Sequence, residues 1–254
     1  MTVTAQTAPM PAAVNLMRTL AARAGLDPAY RKVFCIGFNK TGTTSIDAIF
    51  RAAGMASIHT TYWSRPGPHL CQFTHQAFCD GNPLGFRALD RRFPRSRFIL
   101  NTRNLDEWLD SRIEHIRAQQ ARGLHRETKH WRIADEAVIH WVRTRNAHHL
   151  DVLDYFGGGP ENLLVVNYIR DPDAAGRIAR FIGRPELAES EKPYVRPIPR
   201  TREQGALRNA AMIGRCLDSL GIPESERGAD IHCPSLGTGT TAPGAAQPWD
   251  TLAA

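Results

Sequence analysis

The sequence lacks the features of a membrane-anchored or secreted protein. It contains no apolar run of about 18 residues, the length that a membrane-spanning helix requires. Residues 1–32 do not combine a basic start with an apolar core, so we expect no secretory signal. From these two absences we expect a cytoplasmic protein that has no membrane partner.

Cysteine is scarce, and its spacing is irregular. The 254 residues include five cysteines: Cys35, Cys71, Cys79, Cys216 and Cys233. This pattern does not favour a disulfide framework. Cys71, His75 and Cys79 recur every four residues, which would place three metal ligands on one helical face. Structural zinc sites more often use ligand pairs held by a turn, so we prefer ordinary packing and assign no metal.

Acidic residues are outnumbered by basic ones. The chain has 25 Asp and Glu residues against 32 Lys and Arg residues, a formal net charge of +7, which favours anionic ligands. The basic residues are spread along the chain and are densest between Arg91 and Arg103. This distribution permits nucleic-acid binding without requiring it. We prefer a solvated basic face near a nucleotide site and expect no nucleic-acid partner.

The loop that commonly binds nucleoside triphosphates, G-x-x-x-x-G-K-[ST], is absent, because no GK[ST] tripeptide occurs. A related pattern is present instead. An apolar run predicts a strand over 32–37, and a helix is predicted over 43–53. The segment between and just after them reads Phe38-Asn39-Lys40-Thr41-Gly42-Thr43-Thr44-Ser45. Such a loop directs backbone N–H groups, a helix dipole and a lysine at one point. We therefore predict a phosphate-like ligand there.

A second candidate anion site follows the strand predicted over 97–102. Arg103 comes directly after this strand, and Ser111 lies eight residues later on the helix predicted over 105–122. An arginine fork suits a dianionic phosphate better than a lysine does. Asn104 is a good N-cap residue, and Glu107 three residues later predicts an arrangement like a capping box. Helical spacing predicts one buried face, formed by Leu105, Trp108, Leu109, Ile113 and Ile116.

Together these two elements resemble the sulfotransferases that use 3′-phosphoadenosine 5′-phosphosulfate. In that family a loop in which lysine precedes the last glycine holds the 5′-phosphosulfate, and an arginine and a serine with this spacing grip the 3′-phosphate. The resemblance implies that Lys40 stabilises charge on the oxygen bridging phosphate and sulfate, without a metal. The cofactor contacts that it implies come from Asn39, Lys40, Thr41, Gly42, Thr43, Thr44, Ser45, Arg103 and Ser111.

Sulfuryl transfer also requires a general base for the acceptor's proton, and two residues compete for this role. Asp80 stands in a place similar to that of a catalytic histidine in the cytosolic family members. His59 corresponds loosely to a catalytic glutamate of the carbohydrate sulfotransferases. Histidine is a common base near neutral pH, whereas an aspartate needs burial to raise its pKa. We favour Asp80 on position and keep His59 as the alternative.

The chain departs from the family pattern near its end. The cytosolic hormone and phenol sulfotransferases have a C-terminal R-K-G segment over the cofactor, and this chain has none. Residues 192–196 could supply charge at a similar chain position. An exposed loop with solvated charges is the preferred interpretation of that segment.

Apolar strands alternate with helices over residues 32–185, which favours a parallel sheet covered on both faces. The resemblance implies the same α/β class: a three-layer, P-loop NTPase-like sulfotransferase fold. Further strands are predicted over 56–59 and 163–166, and further helices over 129–155, 172–183 and about 205–220. We predict an N-terminal extension over 1–30, a sulfotransferase domain over 31–222 and a disordered tail over 223–254.

Two other functions remain open at the level of sequence. One is a nucleotide-dependent phosphotransferase or NTPase of the P-loop superfamily, and the other is a non-catalytic nucleotide-binding protein. The acceptor of a sulfotransferase would be a small molecule or a carbohydrate with a hydroxyl or amine. Its identity and the oligomeric state are not determined by the sequence, because acceptor pockets are built from variable loops.

Overall fold

The computed structural model describes residues 32–65, 69–124, 132–157, 161–188 and 207–231. Strands and helices alternate along most of this length. In chain order the elements are β1 (Val33–Cys35), α1 (Thr43–Ala52), β2 (Ser57–His59), α2 (Cys71–Thr74), β3 (Ala77–Cys79), α3 (Phe86–Arg92), β4 (Arg97–Asn101), α4 (Leu105–Ala121), α5 (Asp135–Phe156), β5 (Leu163–Val166), α6 (Ala174–Phe181), α7 (Ala210–Ser219) and α8 (Glu224–Arg227). Short 3-10 helices occur at Thr61–Ser64, Pro83–Gly85 and Pro185–Leu187.

The five strands form one parallel sheet in the order β2-β3-β1-β4-β5. The register places Val33 of the central strand opposite Ala77 on one side and opposite Arg97 on the other. The chain is therefore an α/β protein with an all-parallel sheet flanked by helices, which confirms the predicted class at this level. The described residues fall into two compact units, one up to Asn101 together with 161–188, and the other over Thr102–Gly157 together with 207–231.

In the first unit, one face of the sheet packs against α1 and α6. Strand residues such as Val33, Cys35 and Ile99 share a buried apolar cluster with Ile46 of α1 and Ile178 of α6. Successive strand residues point to opposite faces, so these three belong to one face. The helix predicted over 43–53 is confirmed as Thr43–Ala52, and Gly54 occupies the C′ position with φ 71°.

The opposite face of the sheet is aromatic. Phe34 of β1 stacks on Phe78 of β3 at 4.7 Å between ring centroids and lies 5.6 Å from Phe98 of β4. Trp63 and Phe93 cover these rings at 5.7 and 5.9 Å from Phe34. Offset aromatic contacts of this kind stabilise beyond simple area burial. Both faces of the sheet are thus covered within this unit.

The path of the chain singles out the carboxyl end of β1. From β1 the chain leaves through α1, on one face, to reach β2. From β3 it passes through α3 to β4, on the other side of β1, and Phe93 at the end of α3 packs on the opposite face. Ligands of open parallel sheets bind where such connections diverge. The loop after β1 therefore lies at the expected binding position.

The second unit contains α4, α5, α7 and α8. The predicted buried face of α4 is confirmed, because Leu105, Trp108, Leu109, Ile113 and Ile116 are all at most 1% exposed. The long helix was predicted from residue 129, but α5 begins at Asp135, and residues 129–131 lie outside the described residues. Gly157, with φ 58°, ends α5.

The described residues continue past residue 222, where the sulfotransferase domain was predicted to end. Helix α8 and the residues up to 231 belong to the segment that was predicted to be a tail. The backbone carbonyl of Ala229 accepts a hydrogen bond from the Leu105 amide at 3.0 Å. The predicted extension over 1–30, the rest of the tail and residues 192–196 lie outside the described residues. None of the described helices combines the length and the apolarity needed to cross a membrane.

Candidate anion-binding site

The loop after β1 ends at a glycine that opens α1. Gly42 is the N-cap residue with φ 92°, and no side chain caps the helix. A Cβ atom at Gly42 would lie 3.0 Å from the Tyr168 ring, so both conformation and space require glycine here. The Gly42 carbonyl accepts the Ser45 and Ile46 amides at 2.9 and 3.1 Å. A bound anion would accept hydrogen bonds from the backbone N–H groups that precede Ser45 at the start of α1.

One buried side chain ties the two ends of this loop together. Asn101, at the carboxyl end of β4, accepts a hydrogen bond from the Gly37 amide at 3.0 Å through Oδ1, and its Nδ2 donates to Thr41 Oγ1. The Thr41 hydroxyl donates to the Phe38 carbonyl at 2.6 Å. A Cβ at Gly37 would come within 1.9 Å of the Asn101 carbonyl oxygen. The contacts of Asn101 therefore hold the loop in one conformation.

Replacing Asn101 by alanine should lower the free energy of unfolding by about 2 kcal/mol, because it leaves the buried Gly37 amide without its acceptor and removes the hydrogen bond to the Thr41 hydroxyl. Urea unfolding followed by circular dichroism measures this change. The exposed Gln120→Ala substitution serves as a control and should change stability by less than about 0.5 kcal/mol. Equal stabilities of the Asn101 and Gln120 variants would show that Asn101 does not hold the loop.

The backbone is strained at two of the predicted catalytic residues. Lys40, in the loop, has φ 68°, and Asp80, directly after β3, has φ 59°. Among the described non-glycine residues, Arg95 is the third with positive φ. Such conformations are uncommon for residues with a Cβ and cluster at functional sites. The fold holds Lys40 and Asp80 in these positions in spite of the local cost.

The Asp80 carboxyl lies within electrostatic reach of Lys40 and His59. Burial raises the pKa of the Asp80 carboxyl, while the charges of His59 and Lys40 oppose this effect. The parallel strands β1, β2 and β3 all end at this edge of the sheet, which explains why residues distant in sequence meet here. The structure thus brings together the anion loop and both predicted general bases.

The side chain of His59 contacts the N-terminus of α1. Its Nε2 lies 3.1 Å from Thr43 Oγ1 and 3.4 Å from Thr44 Oγ1. Both threonines were predicted as phosphate contacts. The side chain of His59 therefore contacts the start of α1, whereas Asp80 directly follows the neighbouring strand β3.

Tyr168, which follows β5, completes the support of the loop. Its ring packs against Gly42. Burial raises the pKa of the Tyr168 hydroxyl, and Ser45 is close enough to oppose this effect by lowering that pKa. The predicted role of Ser45 as a cofactor ligand stays a prediction. Asn39 is half-buried in the loop.

In the second unit, Arg103 and Ser111 lie at the start of α4 and two turns along it. Arg103 Nε is 3.6 Å from Glu107 Oε2. Asn104 is the N-cap residue, as predicted, but its side chain makes no capping hydrogen bond. The predicted capping box is wrong, because the Glu107 amide donates to Asp106 Oδ1 at 2.7 Å instead of to Asn104. Within the described part of the chain, the Ser111 hydroxyl makes no hydrogen bond.

The alternative metal site is not formed. Cys71 begins α2, His75 follows that helix, and Cys79 belongs to β3, so the three do not share a helical face. Cys79 Sγ instead donates to Cys35 Sγ at 3.3 Å, and burial raises its pKa. No group of three or more possible metal ligands occurs among the described residues.

Sequence reasoning did not single out Asn101 or Tyr168 as site residues. Each contacts the loop from a distant part of the chain, 60 residues or more away in the case of Asn101. A polar residue at the end of an apolar strand, next to β1 in a parallel sheet, was the available signal for Asn101.

Comparisons with protein-family models, with curated proteins and with solved structures found no match.

Proposed function

We propose that this protein is a sulfotransferase that moves the sulfuryl group of 3′-phosphoadenosine 5′-phosphosulfate to a hydroxyl or amine of an acceptor. The observation that carries the proposal is the loop at the carboxyl end of β1. It combines an uncapped helix N-terminus, a lysine in a strained conformation and a rigid clamp from Asn101. These are the properties of a preorganised anion site.

The proposed reaction is an in-line displacement at sulfur. The acceptor atom bonds to sulfur as the bond from sulfur to the bridging oxygen breaks, and that oxygen leaves with the negative charge on 3′,5′-adenosine bisphosphate. We assign Lys40 to the developing charge on this oxygen and the loop amides, Thr43 and Thr44 to the 5′-phosphate. Arg103 and Ser111 are assigned to the 3′-phosphate by the spacing that they share with the family.

The acceptor's proton passes to a general base, and we assign this role to Asp80. Its raised pKa makes the carboxylate a better proton acceptor than an exposed aspartate. His59 is the rival, but its ring nitrogen is already within hydrogen-bond distance of Thr43. We therefore assign His59 to the positioning of the α1 N-terminus. The cytoplasmic location expected from the sequence remains part of the proposal.

One observation favours the phosphotransferase alternative. Asp80 directly follows β3, the strand next to β1, and interacts electrostatically with Lys40. A carboxylate beside a phosphate loop is also where a nucleotide-bound Mg²⁺ is held. A general base and a magnesium ligand must both be ionised, so the raised pKa of Asp80 does not separate the two roles. The position of Lys40, which precedes Gly42 instead of following the last glycine of the loop, favours the sulfotransferase.

Thermal unfolding with different nucleotides tests the cofactor. We expect 3′,5′-adenosine bisphosphate to stabilise the protein by about 2.7 kcal/mol at a hundredfold excess over its dissociation constant. At the same concentration 5′-AMP should stabilise it much less. Arg103→Met should reduce the bisphosphate effect to that of 5′-AMP, whereas Arg122→Met, an exposed arginine at the end of the same helix, should leave it unchanged.

The same experiment separates the two enzymes. Stabilisation by ATP with Mg²⁺ alone, without an effect of the bisphosphate, would contradict the sulfotransferase proposal and support the phosphotransferase. Equal stabilisation by the bisphosphate and 5′-AMP would refute the proposed cofactor, and with it the proposed function and the assignment of Arg103 and Ser111.

A further inference from the structure

The second unit contains a buried arginine that the proposed reaction does not use. Arg145 lies in the middle of α5 and is only 2% exposed. It follows Trp141 by four residues, so it shares the buried face of the helix. Burying a guanidinium is costly unless it is hydrogen-bonded. A residue of this kind needs a reason other than packing.

The hydrogen bonds of Arg145 converge on the segment that carries Arg103. Its Nη2 donates to the backbone carbonyl of Arg103 at 3.1 Å and to that of Ala229 at 3.0 Å, and its Nη1 donates to Asn146 Oδ1 at 2.8 Å. The Ala229 carbonyl also accepts the Leu105 amide. The backbone is thus held on both sides of Asn104, at the carbonyl before it and at the amide after it.

We propose that Arg145 is a positioning residue for Arg103 and so determines the selectivity for a 3′-phosphate. This inference rests on the proposed function. Because Arg145 holds the Arg103 carbonyl, it fixes the backbone from which the Arg103 side chain extends. The guanidinium of Arg103 is oriented by an ion pair with Glu107, with 3.6 Å between Nε and Oε2. Binding groups that are held before the ligand arrives lose less freedom on binding. Arg145 therefore acts on the nucleotide through Arg103.

The test compares two ligands and a set of variants by isothermal titration calorimetry. The ligands are 3′,5′-adenosine bisphosphate and 5′-AMP, which differ in the 3′-phosphate. The variants are Arg145→Met, Arg145→Lys, Arg103→Met and the double variant Arg103→Met/Arg145→Met. Arg143→Met, an exposed arginine on the same helix, is the matched control.

Arg145→Met should weaken bisphosphate binding about tenfold, which corresponds to about 1.4 kcal/mol, and should change 5′-AMP binding less than about twofold. Arg145→Lys, which keeps the charge, should recover part of the loss, and Arg143→Met should bind both ligands like the wild type. In the Arg103→Met background the Arg145→Met change should have no further effect, because a residue that acts through another is not additive with it.

Unchanged binding of 5′-AMP shows that a variant is folded, so a loss of bisphosphate binding alone cannot come from unfolding. Wild-type selectivity in Arg145→Met would overturn the inference, and so would a loss that adds fully to that of Arg103→Met. If Arg145→Met does not fold, Arg145→Lys provides the test. Wild-type selectivity in this variant, which lacks the arginine fork, would also overturn the inference. A wild-type protein without preference for the bisphosphate would refute the proposed function itself.

Discussion

Replacing Lys40 by methionine should lower the rate of sulfuryl transfer by about 10²–10³-fold, the loss expected when one preorganised charge-stabilising group is removed. Methionine keeps the length and the apolar stem of the side chain. Because both residues carry a Cβ, the strain at φ 68° is the same in both proteins, and the stability should change little. Single-turnover kinetics measures the effect on the chemical step.

The control for Lys40→Met is Arg95→Met. Arg95 is also basic and also has a positive φ, of 66°, but it is exposed in the turn before β4. Its replacement should leave the rate unchanged. Similar rates in the wild type and in Lys40→Met would mean that the lysine does not stabilise the transition state.

Replacing Asp80 by asparagine should lower the rate by about 10²–10⁴-fold, the usual contribution of general base catalysis. Asparagine tolerates the left-handed backbone that Asp80 adopts at φ 59°, so the local fold should survive. The bisphosphate should bind with little change, because the proposed role of Asp80 concerns the acceptor's proton. His59→Gln is the comparison variant and should lose less activity.

The pH profile provides a second readout for Asp80. The base works in its ionised form, so kcat/KM should fall as the pH drops through the raised pKa of Asp80, above the pH at which an exposed aspartate would titrate. The free energy of unfolding changes with pH in the opposite direction. Burial favours the neutral carboxyl of Asp80, and this stabilising effect is lost as the pH rises through the raised pKa. An acidic limb that persists in Asp80→Asn but disappears in His59→Gln would reverse the assignment.

Local patterns predicted much of the fold. The strand–loop–helix over residues 33–52 and the helix α4 follow from an apolar run, a glycine and helical periodicity, all of which lie within one segment. Strand β3 was not predicted as a separate element, because prolines and glycines surround its three residues. It forms because Ala77, Phe78 and Cys79 are fully buried between β1 and β2, which is a property of the tertiary structure.

The candidate site was predicted only in part for the same reason. Lys40, His59 and Asp80 were named from pattern and position, and the parallel sheet brings them to one edge. The contacts that shape the loop, those of Asn101 and Tyr168, join segments far apart in sequence. Arg145 was also missed, although its spacing from Trp141 placed it on the buried face. Long-range hydrogen bonds leave no periodic signal, so they had to be read from the structure.

The most direct test of the proposed function is the turnover of 3′-phosphoadenosine 5′-phosphosulfate itself. Release of 3′,5′-adenosine bisphosphate would be measured with EDTA present, for the wild type and for Lys40→Met, with phenol, carbohydrate and amine acceptors. We predict release that depends on an acceptor, persists in EDTA and is lost in Lys40→Met. Equal release by the two proteins with every acceptor class, together with Mg²⁺-dependent hydrolysis of ATP by the wild type, would contradict the proposal.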